Sequence, residues 1–125
     1  MTVTVFIVDD DDAVRDALRI NLEAHGLVVA DYGSAAEFAG ARRHEGPACL
    51  ILDQHMPGST GLDFLSSREG AGLGMPVIML TGRADASLRA RAATLGVSVF
   101  LEKPVSGEVL IDAIRRAHDA PGDDR

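Results

Sequence analysis

The sequence predicts an α/β protein built on a five-stranded parallel sheet with helices on both faces. Five short apolar runs of strand length, rich in β-branched residues, recur at near-regular intervals: VTVFIV (3–8), LVVA (27–30), ACLIL (48–52), PVIML (76–80) and SVFL (98–101). The segments between them carry helical periodicity and capping signals. Strand alternating with helix, instead of strand with tight turn, is the pattern of parallel crossover units.

The first strand runs straight into four consecutive aspartates, residues 9–12. At an effective dielectric near 20, two carboxylates about 4 Å apart repel by on the order of 4 kcal/mol, so the four must separate or find compensation. A helix over 12–25 follows, with Val14, Ala17, Leu18 and Leu22 as its apolar stripe and His25–Gly26 as its stop. After the second strand, Ser34 and Glu37 have capping-box spacing and open a second helix. The third strand holds Cys49, and a third helix begins near Thr60, carries Leu62 and Leu65, and ends before EGAGLG (69–74). Those glycines precede a strand instead of following one, the wrong context for a phosphate-cradling loop, and read as a flexible turn. A fourth helix spans Ser87–Leu95 and closes on Gly96; a fifth starts at Ser106, with Val109, Leu110, Ala113, Ile114 and Ala117 as its buried face.

A chain of 125 residues suits one domain, taken as 1–119, with 120–125 (APGDDR) as a tail or the start of a linker. The net charge of −7, without any cluster of Lys or Arg, excludes direct nucleic-acid binding by this chain. No signal-peptide pattern and no membrane-length apolar run is present, which makes a cytoplasmic location the expectation. Cys49, the single cysteine, sits inside an apolar run and reads as a buried core thiol. His25, His44 and His118 lack ligand spacing and read as solvated.

In a parallel α/β sheet, functional groups gather beyond the carboxyl ends of the strands. Here those ends carry Asp9 and Asp10, then Asp53, then Thr81, then Lys103. Three carboxylates suit a hard divalent cation such as Mg²⁺. A carboxylate is also a nucleophile toward phosphorus, and Asp53, alone and central in the sheet, is the best placed; Lys103 and the Thr81 hydroxyl would neutralise the oxygens of a transferring phosphoryl group.

VDDD (8–11), DQHMPGSTG (53–61), MLTG (79–82) and FLEKP (100–104) occur in an order and spacing that resembles the receiver domain of two-component response regulators. The resemblance implies a (βα)5 flavodoxin-like fold with strand order 2-1-3-4-5 and a cytoplasmic signalling switch, not an enzyme beyond self-phosphorylation from small donors and self-dephosphorylation. It implies that Asp53 accepts phosphate from a histidine kinase or phosphotransfer protein. Asp10 and Asp53 would ligate Mg²⁺, with Asp9 acting largely through water and the His55 backbone carbonyl completing the set. Thr81 and Lys103 would engage the phosphoryl group, Phe100 would change rotamer with Thr81, and the bond before Pro104 would be cis. The output would be a change in the face of the fourth helix, fifth strand and fifth helix, acting on a partner, on a second copy in a phosphorylation-dependent homodimer, or on a following transcriptional output domain.

Some positions vary within that family. His55 and Arg83 stand where side chains tune phosphate lifetime, with plain solvation as the other reading. Phe100 lacks the hydroxyl of the tyrosine many receivers carry, though many share phenylalanine, and core packing alone would also explain it; Val99 makes the same edge more apolar. Two competing functions share parts of the residue set. A haloacid-dehalogenase-type phosphatase would want a second aspartate where His55 stands and usually a cap domain. A receiver-like interaction module would never carry phosphate.

Overall fold

The parallel sheet has the order β2-β1-β3-β4-β5, formed by β1 (Thr4–Val8), β2 (Val28–Tyr32), β3 (Ala48–Asp53), β4 (Val77–Thr81) and β5 (Val99–Glu102). The structure, a computed structural model, describes residues 3–41, 46–56 and 58–119. His44 and the segment 120–125 lie outside the described residues. Register brings the strand ends level: Val8 pairs with Leu52, Asp53 with Leu80, and Thr81 with Glu102. Asp53 and Thr81 are therefore the last residues of their strands.

Alternate side chains of the sheet feed two cores, as the two-residue period of a strand requires. On one face Val5, Ile7, Cys49, Ile51, Ile78 and Leu80 pack with Leu22 of α1 (Asp12–Ala24) and Leu110, Ile111, Ala113, Ile114 and Ala117 of α6 (Gly107–Asp119). On the other, Phe6, Val8, Leu50, Leu52, Val77 and Met79 meet Phe38 of α2 (Ala35–Ala41), Leu62, Phe64 and Leu65 of α3 (Gly61–Ser66), and Ala92 of α5 (Ala86–Thr94). Covered on both faces, β3 is buried throughout, which is why its sequence is a continuous apolar run. Cys49 lies in it with its thiol pushed up to about 12 by burial.

Local signals explain the helix ends. Asp11 caps α1 by accepting from the Val14 N–H at 3.1 Å, and Gly26, at φ 86°, carries the chain out. The Ser34 hydroxyl accepts from Glu37 N–H, while the Glu37 carboxylate reaches Gly33 N–H, one residue beyond the usual box. Thr60 and Asp63 form the capping box of α3, and Asp85 caps α5.

Two sequence expectations are corrected. Glu69–Ala71, read as part of a flexible turn, belong to a short helix, α4 (Arg68–Ala71), capped by Ser67. Gly70 is there for close approach: a Cβ would collide with the Phe64 carbonyl and lie 2.8 Å from Leu65 Cα. The expected fourth and fifth helices are thus α5 and α6. Val109 is 46 % exposed and Ala17 is exposed. Each sits about 100° around its helix from the stripe centre, and Ile111 completes the α6 face in place of Val109. His25 is exposed, as expected, with its Nδ1 2.9 Å from the Asn21 carbonyl.

Candidate functional site

The turn after β1 separates the four aspartates. Asp9 is 2 % exposed and turns inward, its Oδ1 accepting from the Asp11 N–H at 2.9 Å. Asp10 is exposed, Asp11 caps the helix, and Asp12 pairs with Arg15 at 2.6 Å. Asp53, 3 % exposed, enters from β3. One oxygen each from Asp9, Asp10 and Asp53 fall within 4.8 Å of one another.

Lys103 follows β5, joined to Pro104 by a cis peptide bond, and its backbone N–H donates to the Thr81 carbonyl at 2.7 Å. Its Nζ lies 3.1 Å from Asp53 Oδ1 and 3.5 Å from Asp9 Oδ2. Both oxygens are buried and within ion-pair reach, yet neither receives a well-directed hydrogen bond. The pair of carboxylates is thus undercompensated by a single ammonium. Burial raises the Asp53 carboxyl above its ordinary value, with Asp9 adding to the rise and Lys103 and the His55 backbone N–H opposing it. For Lys103, burial pulls downward and the two carboxylates overcome it, so the ammonium is held above its ordinary value. Two buried oxygens with unspent acceptor capacity beside a third, exposed carboxylate are a fit for a divalent cation.

Thr81, wholly buried, ends the neighbouring strand. Its hydroxyl donates to the Arg83 carbonyl at 3.1 Å and lies 3.1 Å from His55 Nε2, while the Arg83 N–H donates back at 3.3 Å. Asp9, Asp10, Asp53 and Lys103 therefore meet in one cluster, and the side chains of Thr81 and His55 meet beside it. Arg83 is exposed and reaches Thr81 through its backbone alone among the contacts described.

Over residues 5–115 the chain matches the response regulator receiver domain family. It belongs to that family. The receiver is 40 % identical over 114 residues to the transcriptional regulatory protein FixJ of Azorhizobium caulinodans, covering 91 % of this chain and 54 % of that protein. It superposes on the structure titled FixJ-N with a TM-score of 0.81 at 32 % identity, covering 96 % of each chain. On the response regulator StyR the TM-score is 0.83 at 36 % identity, covering 94 % of this chain and 60 % of that one. The receiver thus spans about half the length of several of the curated relatives it matches. Among its described residues no helix is long and apolar enough to cross a membrane.

Three supporting residues of the receiver escaped sequence reasoning. Arg15 donates to the Asp9 carbonyl at 2.7 Å and to Asp31 at 3.0 Å, bracing the acidic turn against the end of β2; its only sequence signal is its spacing from Asp11 and Asp12. Gln54, buried, accepts from Leu62 N–H at 2.9 Å through its side chain and ties the loop after Asp53 to α3. Arg89 of α5 places its guanidinium 4.8 Å from the centroid of Phe100, which is half-buried against the core shared with Met79 and Ala92. That contact sets a cation over the face of the ring.

Proposed function

We propose that this receiver is a phosphorylation-controlled switch in which Asp53 takes a phosphoryl group from a histidine kinase or phosphotransfer protein. The observation that carries the reading is the Asp9–Lys103–Asp53 arrangement at the level ends of β1, β3 and β5. A buried nucleophile stands beside one fixed ammonium and two further carboxylates. An Asp53 oxygen attacks phosphorus as the P–N bond of a phosphohistidine breaks and the electron pair leaves on the imidazole, while the Lys103 ammonium neutralises a phosphoryl oxygen. Mg²⁺, held by Asp10 and Asp53, by Asp9 through water and by the His55 carbonyl, would supply further positive charge at the transferring group.

An apolar groove of about 430 Å³ opens beside Lys103, lined by Val14, Leu18, Leu80, Pro104 and Val105, and offers a donor a seat within reach of the acceptor. After transfer, Thr81 turns toward the phosphoryl group, Phe100 follows, and the surface of α5, β5 and α6 changes for a partner, a second copy or an output domain. By analogy with the FixJ relative, a transcriptional regulatory protein, the proposed output of the switch is control of transcription.

Incubation with Mg²⁺ and acetyl phosphate is expected to give a stable, stoichiometric adduct that disappears in Asp53→Asn. Turnover of many equivalents would instead mark a phosphatase, and neither adduct nor Mg²⁺ affinity would leave only an interaction module. The exposed side chains of His55 and Arg83 flank the mouth of the site and restrict the hydrolytic water. His55→Asn and Arg83→Ala are therefore expected to lose phosphate faster than the parent, and equal lifetimes by phosphate-release assay would remove both from that role.

A further inference from the structure

We propose that the His55 side chain is a positioning residue that latches Thr81 in its resting orientation, so that phosphoryl capture at Asp53 has to break the His55–Thr81 hydrogen bond. The inference rests on the reading of Asp53 and Thr81 given above and adds how the switch is held before phosphorylation. A hydroxyl has one proton to give and two lone pairs to accept with. At Thr81 all three are spoken for: the proton goes to the Arg83 carbonyl at 3.1 Å, and the Arg83 N–H donates at 3.3 Å. The second lone pair faces His55 Nε2 at 3.1 Å, which the network assigns as the protonated nitrogen. The one proton that a phosphoryl oxygen would need is already given to the Arg83 carbonyl, and Thr81 itself is wholly buried.

The three contacts differ in kind. Two come from the backbone of the turn after β4, which any residue but proline at position 83 supplies. The third is a side chain from the loop after β3, the loop that leads out from Asp53 itself. His55 therefore joins the acceptor's own loop to the switch hydroxyl and favours the state in which that hydroxyl faces away from its future ligand. A site whose competent state is only partly populated binds its ligand more weakly by that fraction, and removing the latch raises the fraction.

Mg²⁺-dependent binding of beryllofluoride, measured by titration, tests this in the parent, His55→Ala, Thr81→Ala and the double variant. His55→Ala is expected to tighten binding by about two- to tenfold, the range of one hydrogen bond, and to make no difference once Thr81 is alanine. His55→Gln, whose amide N–H reaches the same hydroxyl, is expected to return most of the way to the parent. Unchanged or weaker binding in His55→Ala, an equal gain in the Thr81→Ala background, or a glutamine variant that behaves as alanine would each overturn the latch. A parent that binds no beryllofluoride, or an Asp53→Asn protein that still binds it, would overturn the reading of Asp53 and the latch with it, a failure distinct from the others.

Discussion

In the absence of divalent metal, Asp53→Asn is expected to unfold at a higher temperature than the parent even as it loses the ability to be phosphorylated. Asp53 and Asp9 are both almost fully buried and share one ammonium, and their facing oxygens lack directed hydrogen bonds. Asparagine keeps the shape, removes one buried charge and leaves Lys103 paired with Asp9. The gain should be ~1 kcal/mol, or roughly 4 °C for a domain of this size. Its pH dependence follows from the raised Asp53 carboxyl. Above its folded value the parent carries an ionised, desolvated group that the unfolded chain ionises freely, so parent stability falls as pH rises through the window above the ordinary 3.8. The advantage of the variant is thus largest at neutral pH and closes as the pH drops into that window. Lys103 acts at the other end of the scale: its raised ammonium stabilises the fold below its ordinary 10.5 and loses that contribution as pH climbs through the higher folded value. Calorimetry in EDTA across the pH range checks both, and an Asp53→Asn protein less stable than the parent at neutral pH would show that the Lys103 pair outweighs the repulsion.

Added Mg²⁺ should stabilise the parent by about 2.7 kcal/mol at a hundredfold excess over its dissociation constant. The four aspartates divide sharply in what they lend to that effect. Asp10→Ala is expected to lose most of it, whereas Asp12→Ala should keep it nearly whole, because the Asp12 carboxylate points to Arg15 and is 88 % exposed. Asp11→Ala should cost about 1 kcal/mol with or without the metal, as the loss of a helix N-cap. Equal losses of the Mg²⁺ shift from Asp10→Ala and Asp12→Ala, read by thermal melts with and without the ion, would refute the division.

The architecture was legible because its signals are local. Runs covered on both faces stay apolar along their whole length, as in β3, and the residues that follow such runs must surface together at one edge, which is how Asp9, Asp10, Asp53, Thr81 and Lys103 could be grouped unseen. Helix phase was less legible: Val14 and Ala17 obey the same spacing rule, but only the docking angle of α1 decides that one is half-buried and the other exposed. The glycines of 69–74 read as flexible because composition does not reveal that Gly70 is pressed against Phe64. Least legible were contacts between distant segments. Nothing near His55 announces Thr81, 26 residues on, and nothing near Arg89 announces Phe100.

Cys49 supplies the chain with a built-in clock. The thiol sits in β3 with a neighbouring strand on either side, and burial suppresses its ionisation so that almost no thiolate is present at neutral pH. An alkylating reagent can reach it only when the middle of the sheet opens, so the rate of modification times that opening directly. Ligands that bind the folded switch should slow the clock. Surface cysteines introduced for dyes or spin labels can be modified selectively without first removing the native one.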